Sequence, residues 1–287
     1  MTELPASPFY LNFVQPTTVD VEGGLIDLDV FFSGTPPTST NVSLTLAFDG
    51  ASPSPPLSVA VVGSVAQLRG VSVPNPKPWT LGQGNLYTLT VTETTSGDAV
   101  TIRSGLRIIG TTTTGVPHAR MTINGEVVKL KGFNRHTLWP DTGAAVTPEQ
   151  ERIDLGMVKG VNANYIRGGH YPQSQSWLDL LDENGIAIWE EALGPGVSTK
   201  DILDPTFMDA QVKAVTSMVH NSIHHPSVIL HGFFNEGPSS DPKACGGYQT
   251  LADTVRSLVG NPPTRYATWA SDKGRSDVCL NASDVIR

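Results

Sequence analysis

The chain has 287 residues, a formal net charge of −8 at pH 7 and a sequence pI of about 5.3. That length allows two domains with sizeable cores, and 39% hydrophobic with 16% charged residues is typical of a globular protein. The acidic balance without a basic stripe argues against nucleic acid and anionic membranes as partners, and no apolar stretch reaches the roughly 18 residues that span a bilayer.

The first part of the chain is predicted to be all-β, because short apolar or alternating runs recur between turn clusters rich in Gly, Pro, Ser, Thr and Asn. The runs are Phe9 to Val14, Leu25 to Phe32, Val42 to Phe48, Leu57 to Val62, Leu86 to Thr92 and Val100 to Ile109. Six or seven strands at this spacing predict an immunoglobulin-like β-sandwich over residues 1–112. It holds no candidate catalytic cluster, so we expect a structural or spacing role.

A linker from Gly110 to Pro117 is predicted to precede a second domain over residues 118–287, in which strands and helices alternate. The predicted strands are Val127 to Gly132, Ala163 to Arg167, Ile186 to Trp189, Val228 to Phe234 and Tyr266 to Ala270. The first predicted helix begins with a capping box of Thr147 and Gln150, and the second runs from about Ser174 to a glycine stop at Gly185. Two more are predicted to begin at Asp204 and at about Tyr248. Repeated βα units predict a parallel sheet that corresponds to about five of the eight units of a (β/α)8 TIM barrel.

Polar residues follow four of these strands, and in a parallel barrel all strand ends open at one edge. They are Asn134, Arg135 and His136; Arg167 and His170; Glu190 and Glu191; Asn235 and Glu236. A single polar residue at a strand end is more often a cap than a catalyst, but four consecutive cases predict a site. A carboxylate and an amide after the apolar run VILHGFF favour chemistry on a hydroxyl-rich substrate.

Several other polar or aromatic residues are interpreted as structural. His224 and His225 precede the fourth strand at the opposite edge, and His231 lies within that strand. The sequence leaves open whether Trp139 stacks on a sugar or fills a loop, and Glu190 and Glu191 are expected to orient neighbouring groups.

Two cysteines, Cys245 and Cys279, are too few for a disulfide framework, and two isolated buried thiols are favoured over a pair. The N-terminus has no basic region followed by an apolar one, whereas sequons at Asn41 and Asn281 are permissive of secretion. The localisation therefore stays open between cytoplasmic and secreted.

Four stretches resemble glycoside hydrolase family 2, and its β-galactosidase branch more than its β-glucuronidases. They are LKGFNRHTLWPDTGAAVT (Leu130 to Thr147), NANYIRGGHYP (Asn162 to Pro172), WLDLLDENGIAIWEE (Trp177 to Glu191) and HHPSVILHGFFNEG (His224 to Gly237). NPKPWTLGQGNLYTLTV and SGLRIIG (Asn75 to Val91, Ser104 to Gly110) resemble the immunoglobulin-like domain before that family's barrel.

The resemblance implies a role for each residue that matches the family's motifs. Glu236 would be the general acid/base, and Asn235 would bind the sugar 2-hydroxyl. His136, Arg167 and His170 would line the sugar subsite, with Trp139 as a further candidate for substrate binding. No cofactor is implied. The Glu and His of the metal-dependent members are missing from Ala192 to Thr199, so no catalytic magnesium site is expected.

No glutamate follows Glu236, whereas retaining members carry a nucleophilic Glu on the seventh strand, about 5 to 5.5 Å from the acid/base. The family's jelly-roll domain is missing as well. We therefore expect a fragment of a retaining β-galactosidase-like hydrolase that acts on carbohydrate and is inactive alone. A non-catalytic carbohydrate-binding remnant, or a half-barrel completed by another chain, are the alternatives.

Overall fold

A computed structural model describes residues 9–34, 41–114, 118–192, 194–260 and 263–285. The chain forms two compact units. The first comprises Met1–Trp79 and Asn85–Ile108, and the second comprises Thr80–Gly84 and Ile109–Arg287.

The first unit is one antiparallel sheet of seven strands. They are β1 (Phe9–Asp20), β2 (Leu25–Gly34), β3 (Asn41–Phe48), β4 (Leu57–Val62), β5 (Val65–Ser72), β6 (Tyr87–Glu93) and β7 (Ala99–Ser104), in the spatial order β1-β2-β5-β4-β3-β6-β7. Alternate residues point to opposite faces of a strand, so Ile26, Leu28 and Val30 of β2 enter one core with Leu89 and Val91 of β6. The predicted β domain is confirmed. Strand β5 was not predicted from the sequence.

The second unit begins with a three-stranded antiparallel sheet of β8 (Ile109–Thr112), β9 (Arg120–Ile123) and β10 (Glu126–Val127). Asn124 and Gly125 both have positive φ, 52° and 82°, which suits the two-residue turn between β9 and β10. The predicted linker therefore starts inside β8, and its residues 115–117 lie outside the described ranges. The predicted strand from Val127 to Gly132 is wrong, because this hairpin takes up Val127.

A parallel sheet of five strands follows in chain order, which confirms a partial α/β barrel. Its strands are β11 (Gly132–Arg135), β12 (Tyr165–Gly168), β13 (Ala187–Glu191), β14 (Val228–Phe233) and β15 (Tyr266–Trp269). The helices are α1 (Pro148–Gly160), α2 (Gln175–Asn184), α3 (Thr199–Ile202), α4 (Pro205–Ser222) and α5 (Cys245–Leu258). Every residue of β14 is buried, as expected for an inner strand covered on both faces.

The helix ends follow the predicted capping residues. Thr147 and Gln150 form a capping box at α1, and Asp204 caps α4. Gly185 ends α2 with a φ of 62°, a conformation that costs glycine little. The short helix α3 was not predicted. None of the helices in the described ranges has the length and apolarity needed to cross a membrane.

Cys245 and Cys279 form a disulfide, so the prediction of two isolated thiols is wrong. Cys245 opens α5, and Cys279 lies after β15. Strands β14 and β15 are neighbours, and α5 connects them. The chain after β15 therefore returns to the start of α5, so that two cysteines 34 residues apart meet. Sequence spacing alone does not reveal this return.

Reduction of this disulfide should lower the free energy of unfolding of the second unit by about 3–4 kcal/mol, because a cross-link over a loop of roughly 34 residues restricts the unfolded chain. Urea denaturation followed by tryptophan fluorescence, with and without reductant, measures the change. The Cys245→Ser/Cys279→Ser variant should have the same free energy of unfolding as the reduced protein, and reductant should not change it. Equal urea midpoints for oxidised and reduced protein would contradict the prediction.

Candidate functional site

The candidate site lies where β12, β13 and β14 end. Arg167 is paired in register with Trp189, and Glu191 with Gly232. Because the strands are parallel, their C-terminal ends meet at one edge of the sheet, where barrel enzymes carry their catalytic groups. Sequence reasoning placed the site at this edge.

Arg167 is the centre of a hydrogen-bonded group that we call the Arg167 cluster: Arg167, His170, Glu191 and Asn235. Its guanidinium donates to Glu191 Oε1 over 2.8 Å and to Asn235 Oδ1 over 2.6 Å. The side chains of Arg167 and Glu191 are 12% and 1% exposed. Charge-assisted bonds in such a buried setting hold both partners in a fixed geometry.

His170 joins the cluster through a single ring atom. Its Nδ1 lies 3.0 Å from Arg167 Nη2 and 2.8 Å from Glu191 Oε2. A deprotonated Nδ1 accepts from Arg167, whereas a protonated Nδ1 donates to Glu191. The tautomer of the ring therefore decides which of the two bonds His170 makes.

His136 approaches the cluster from β11. Its ring lies 5.0 Å from that of His170 in an edge-on arrangement and 6.4 Å from that of Tyr171. Next to it, the backbone N–H of Thr137 donates to the Tyr171 hydroxyl over 2.8 Å. The structure therefore brings His136, Arg167, His170 and Asn235 together.

Asn235 and Glu236 differ in exposure. Asn235 is buried, and its side-chain oxygen is taken by Arg167, which leaves the amide nitrogen as the group that can donate to a ligand. Glu236 is exposed, and its backbone N–H donates to the Ala270 carbonyl over 2.8 Å. A carboxyl at this place can exchange a proton with a bound molecule and with solvent.

The backbone around this pair is unusual. Phe234 and Glu236 both have positive φ, 51° and 54°, a region that side chains larger than glycine rarely adopt. Phe234 is held by its buried ring, which meets Tyr248 edge-on at 5.2 Å. Strained residues of this kind cluster at functional sites, so the geometry adds to the case for the pair.

The indole of Trp189 packs against the guanidinium of Arg167, and the sequence analysis did not predict Trp189 as part of the site. The guanidinium carbon lies 4.8 Å from the centre of that ring, within the range of a cation–π contact. The same ring lies against Gly232 of the neighbouring strand β14, where an added Cβ would be 2.0 Å from the indole nitrogen. Trp189 is the register partner of Arg167, and no motif reveals this contact; the sequence signal is a tryptophan directly before two glutamates.

Trp139 and Arg135 contact residues outside the Arg167 cluster. Trp139 donates from Nε1 to Asp154 of α1 over 3.2 Å, and its backbone pairs with Gly143, which favours the reading that it fills a loop. Arg135 is buried against the helices, paired with Asp154 at 2.7 Å and 4.1 Å from the centre of the Trp177 ring. Arg135, one of the polar residues that follow the first predicted strand, thus points to the opposite face of β11 from Asn134.

The histidines interpreted as structural have buried partners. His225 Nδ1 lies 2.6 Å from Asp182, which also accepts from the Ser227 N–H, and His231 lies 3.8 Å from Glu190. Asp179, Asp182 and His225 each have one potential ligand atom within 4.8 Å of the others. Since Asp182 is already bonded by its neighbours, we assign no metal to this group.

Asp272, the acid after β15, pairs with Lys273 at 2.6 Å on the surface. Its side-chain bond with Lys273 holds the pKa of Asp272 below its ordinary value. Within the described part of the chain, the side chain of Asp272 bonds to Lys273 and to no member of the Arg167 cluster.

Comparison with known proteins gives a consistent set of similarities. Residues 115–286 match the family model described as "Glycosyl hydrolases family 2, TIM barrel domain". The chain is 29% identical over 219 residues to a β-galactosidase of Lactococcus lactis, which covers 75% of this chain and 21% of the relative. It is 28% identical over 208 residues to a β-glucuronidase of Paenibacillus borealis, covering 69% and 35%.

Solved structures are similar over nearly the whole chain. A β-galacturonidase of this family from Eisenbergiella tayi, bound to galacturonate, has a TM-score of 0.84 at 25% identity, covering 97% of this chain and 49% of its own. A β-glucuronidase of Bifidobacterium dentium has a TM-score of 0.78 at 20% identity, covering 92% and 44%. The chain thus spans about half the length of these structures and less of the curated relatives.

Proposed function

Because this chain belongs to glycosyl hydrolases family 2, we propose that it carries the acid/base half of a retaining glycosidase that cleaves terminal β-glycosidic bonds. The observation that carries this proposal is the Asn235–Glu236 pair at the end of β14, with Asn235 fixed by Arg167 over 2.6 Å. The pair combines an exposed carboxyl with a preorganised amide donor at the same strand end.

In the proposed reaction Glu236 protonates the glycosidic oxygen as the bond breaks and then removes a proton from the incoming water. The Asn235 amide nitrogen donates to the sugar 2-hydroxyl, a contact that strengthens as positive charge develops on the ring. Arg167 and Glu191 keep Asn235 in place, and His136 and His170 border the same space.

We propose a β-galactoside as the substrate. Support comes from the first-strand and DTG segments and from the match to the Lactococcus lactis β-galactosidase. Similar proteins are named as β-glucuronidase and β-galacturonidase, so an assay has to vary both the group on C5 of the sugar, carboxylate or hydroxymethyl, and the configuration at C4.

The finer domain organisation belongs to the same proposal. We propose an immunoglobulin-like β-sandwich for residues 1–112, whose described strands form one hydrogen-bonded sheet around a single core, and part of a TIM barrel for residues 118–287. The described sheet has five parallel strands, whereas a closed barrel of this type has eight. We propose that polypeptide beyond these residues supplies the remaining strands and the nucleophilic carboxylate, and that the 287-residue chain alone does not turn over substrate.

Carbohydrate binding without turnover is a second candidate. One observation favours it: hydrogen bonds join all four members of the Arg167 cluster, which lie at or just after the ends of β12, β13 and β14. Such a cluster could hold a sugar whether or not a nucleophile is present. The third arrangement, a half-barrel completed by another chain, would show as an obligate partner in light scattering.

The test compares the 287-residue chain with the whole protein on 4-nitrophenyl β-galactoside, β-glucuronide and β-galacturonide. We expect hydrolysis of the galactoside by the whole protein only, and proton NMR should detect the β-anomer of the sugar first. Release of the α-anomer first would contradict the retaining mechanism. Saturable galactose binding by calorimetry without hydrolysis by either polypeptide would favour the second candidate.

A further inference from the structure

Glu190 is a buried carboxyl next to the site that the proposed chemistry does not use. It precedes Glu191 on β13, so the two side chains point to opposite faces of the sheet. Glu191 faces the Arg167 cluster, whereas Glu190 lies among the groups that cover the other face, 2% exposed. A carboxyl in such surroundings is rarely retained without specific partners.

The partner that defines its position is the backbone of Gln173. The Gln173 N–H donates to Glu190 Oε1 over 3.0 Å, and the Gln173 side chain donates back to the Tyr171 carbonyl over 2.8 Å. Gln173 also packs against Gly168 at the end of β12, where an added Cβ would lie 2.7 Å from its side-chain carbon. These contacts fix the chain from residue 170 to residue 173.

That short segment is held from both faces of β13. On the site face, His170 Nδ1 contacts Glu191 over 2.8 Å. On the other face, Glu190 holds Gln173, directly before Ser174 caps α2. Consecutive glutamates on one strand thus fix the two ends of the segment that carries His170 and Tyr171.

We propose that Glu190 is a positioning residue, which sets the place of His170 and Tyr171 beside the sugar site by anchoring the backbone of Gln173. This proposal rests on the proposed function, because the residues that Glu190 positions border the proposed sugar subsite. The anchor itself is a property of the fold and can be measured without turnover.

The charge on Glu190 depends on its surroundings. Burial raises its pKa to about 7, while the Gln173 N–H, the Ser222 hydroxyl and the charges of His225 and Arg265 oppose the rise. His231 of β14 faces it as well, with Nδ1 3.8 Å from Oε2. The ionised form accepts the Gln173 N–H more strongly than the neutral form, so the anchor tightens as the pH rises through 7.

The same ionisation has the opposite effect on stability. The folded protein keeps a proton on Glu190 that the unfolded chain releases above its ordinary pKa of 4.5. The free energy of unfolding therefore falls as the pH rises from about 4.5 to about 7, and Glu190→Gln should remove this fall. A carboxyl without a positioning role would show the same fall in the free energy of unfolding, but its replacement would leave the ring signals of His170 unchanged.

Two variants separate these roles, with NMR of protein labelled at histidine and glutamine as the readout. Glu190→Gln keeps an acceptor for the Gln173 N–H, whereas Glu190→Leu removes it. We expect the Gln173 amide to exchange with solvent at least about tenfold faster in Glu190→Leu, with displaced His170 ring signals, and both to stay near wild type in Glu190→Gln. Glu149→Gln, at a side chain 74% exposed, is the matched control and should change neither.

The wild-type protein provides a test that does not depend on the folding of a variant. Its Gln173 amide proton should move downfield with a midpoint near pH 7, and this step should be missing from Glu190→Gln. A wild-type protein without the step, or a folded Glu190→Leu with unchanged Gln173 exchange and His170 signals, would overturn the proposal. Neither readout uses hydrolysis, so failure of the glycosidase proposal would leave this result unaffected.

Discussion

Replacement of Glu236 by glutamine is expected to lower the turnover of alkyl β-galactosides by the whole protein by about 10²- to 10⁴-fold. Alkoxide leaving groups are poor, so the glycosidic oxygen needs a proton as the bond breaks, and glutamine cannot supply one. The change preserves the size of the side chain at a residue with a φ of 54°, so the strand end should keep its shape. Steady-state rates with methyl β-galactoside measure the loss.

The dependence on the leaving group distinguishes a lost proton donor from a damaged site. With 2,4-dinitrophenyl β-galactoside, whose leaving group needs no proton, the first step should proceed at close to the wild-type rate, and added azide should speed release of the sugar. The exposed Glu149→Gln variant should behave as wild type with both substrates. An equal loss in the rate of the first step on both substrates would show that Glu236 is not the acid/base.

Replacement of Arg167 by leucine should lower the free energy of unfolding of the second unit by about 3–5 kcal/mol. Glu191 is 1% exposed and accepts from Arg167 over 2.8 Å, so the variant leaves a carboxylate buried beside an uncharged side chain. The Asn235 oxygen loses its donor at the same time. Urea denaturation at neutral pH measures the change.

Arg152 of α1 is a matched control, since it forms an ion pair with Glu149 at 3.3 Å but is 61% exposed. Arg152→Leu should cost less than about 1 kcal/mol, because water screens a surface pair. Arg167→Lys keeps the charge without the planar fork and should fall between the two. Equal losses for Arg167→Leu and Arg152→Leu would contradict a buried ionic cluster.

The sequence predicted best those features that depend on local chemistry. The capping box of Thr147 and Gln150 and the glycine stop at Gly185 act within a few residues, and the structure confirms them. The long apolar run before Asn235 likewise predicted a buried strand, because few other elements are apolar at every position.

Features that depend on contacts distant in the chain were not predictable in the same way. The pairing of Cys245 with Cys279 needs the α5 crossover, and the burial of Arg135 needs Asp154 and Trp177 from two helices. The sequence predicted a candidate site at the ends of the strands, but the hydrogen bonds that centre it on Arg167 depend on partners 24 and 68 residues away. Such separations leave no periodic signal.

The missing side chain at Gly232 limits how this surface can change. A methyl group there would lie 2.0 Å from the indole nitrogen of Trp189, so no single replacement at position 232 leaves that ring where it is. A lineage that replaced Gly232 would first have to move or replace Trp189, and with it the ring that supports Arg167. For a protein engineer, positions 189 and 232 are therefore one site, to be randomised as a pair.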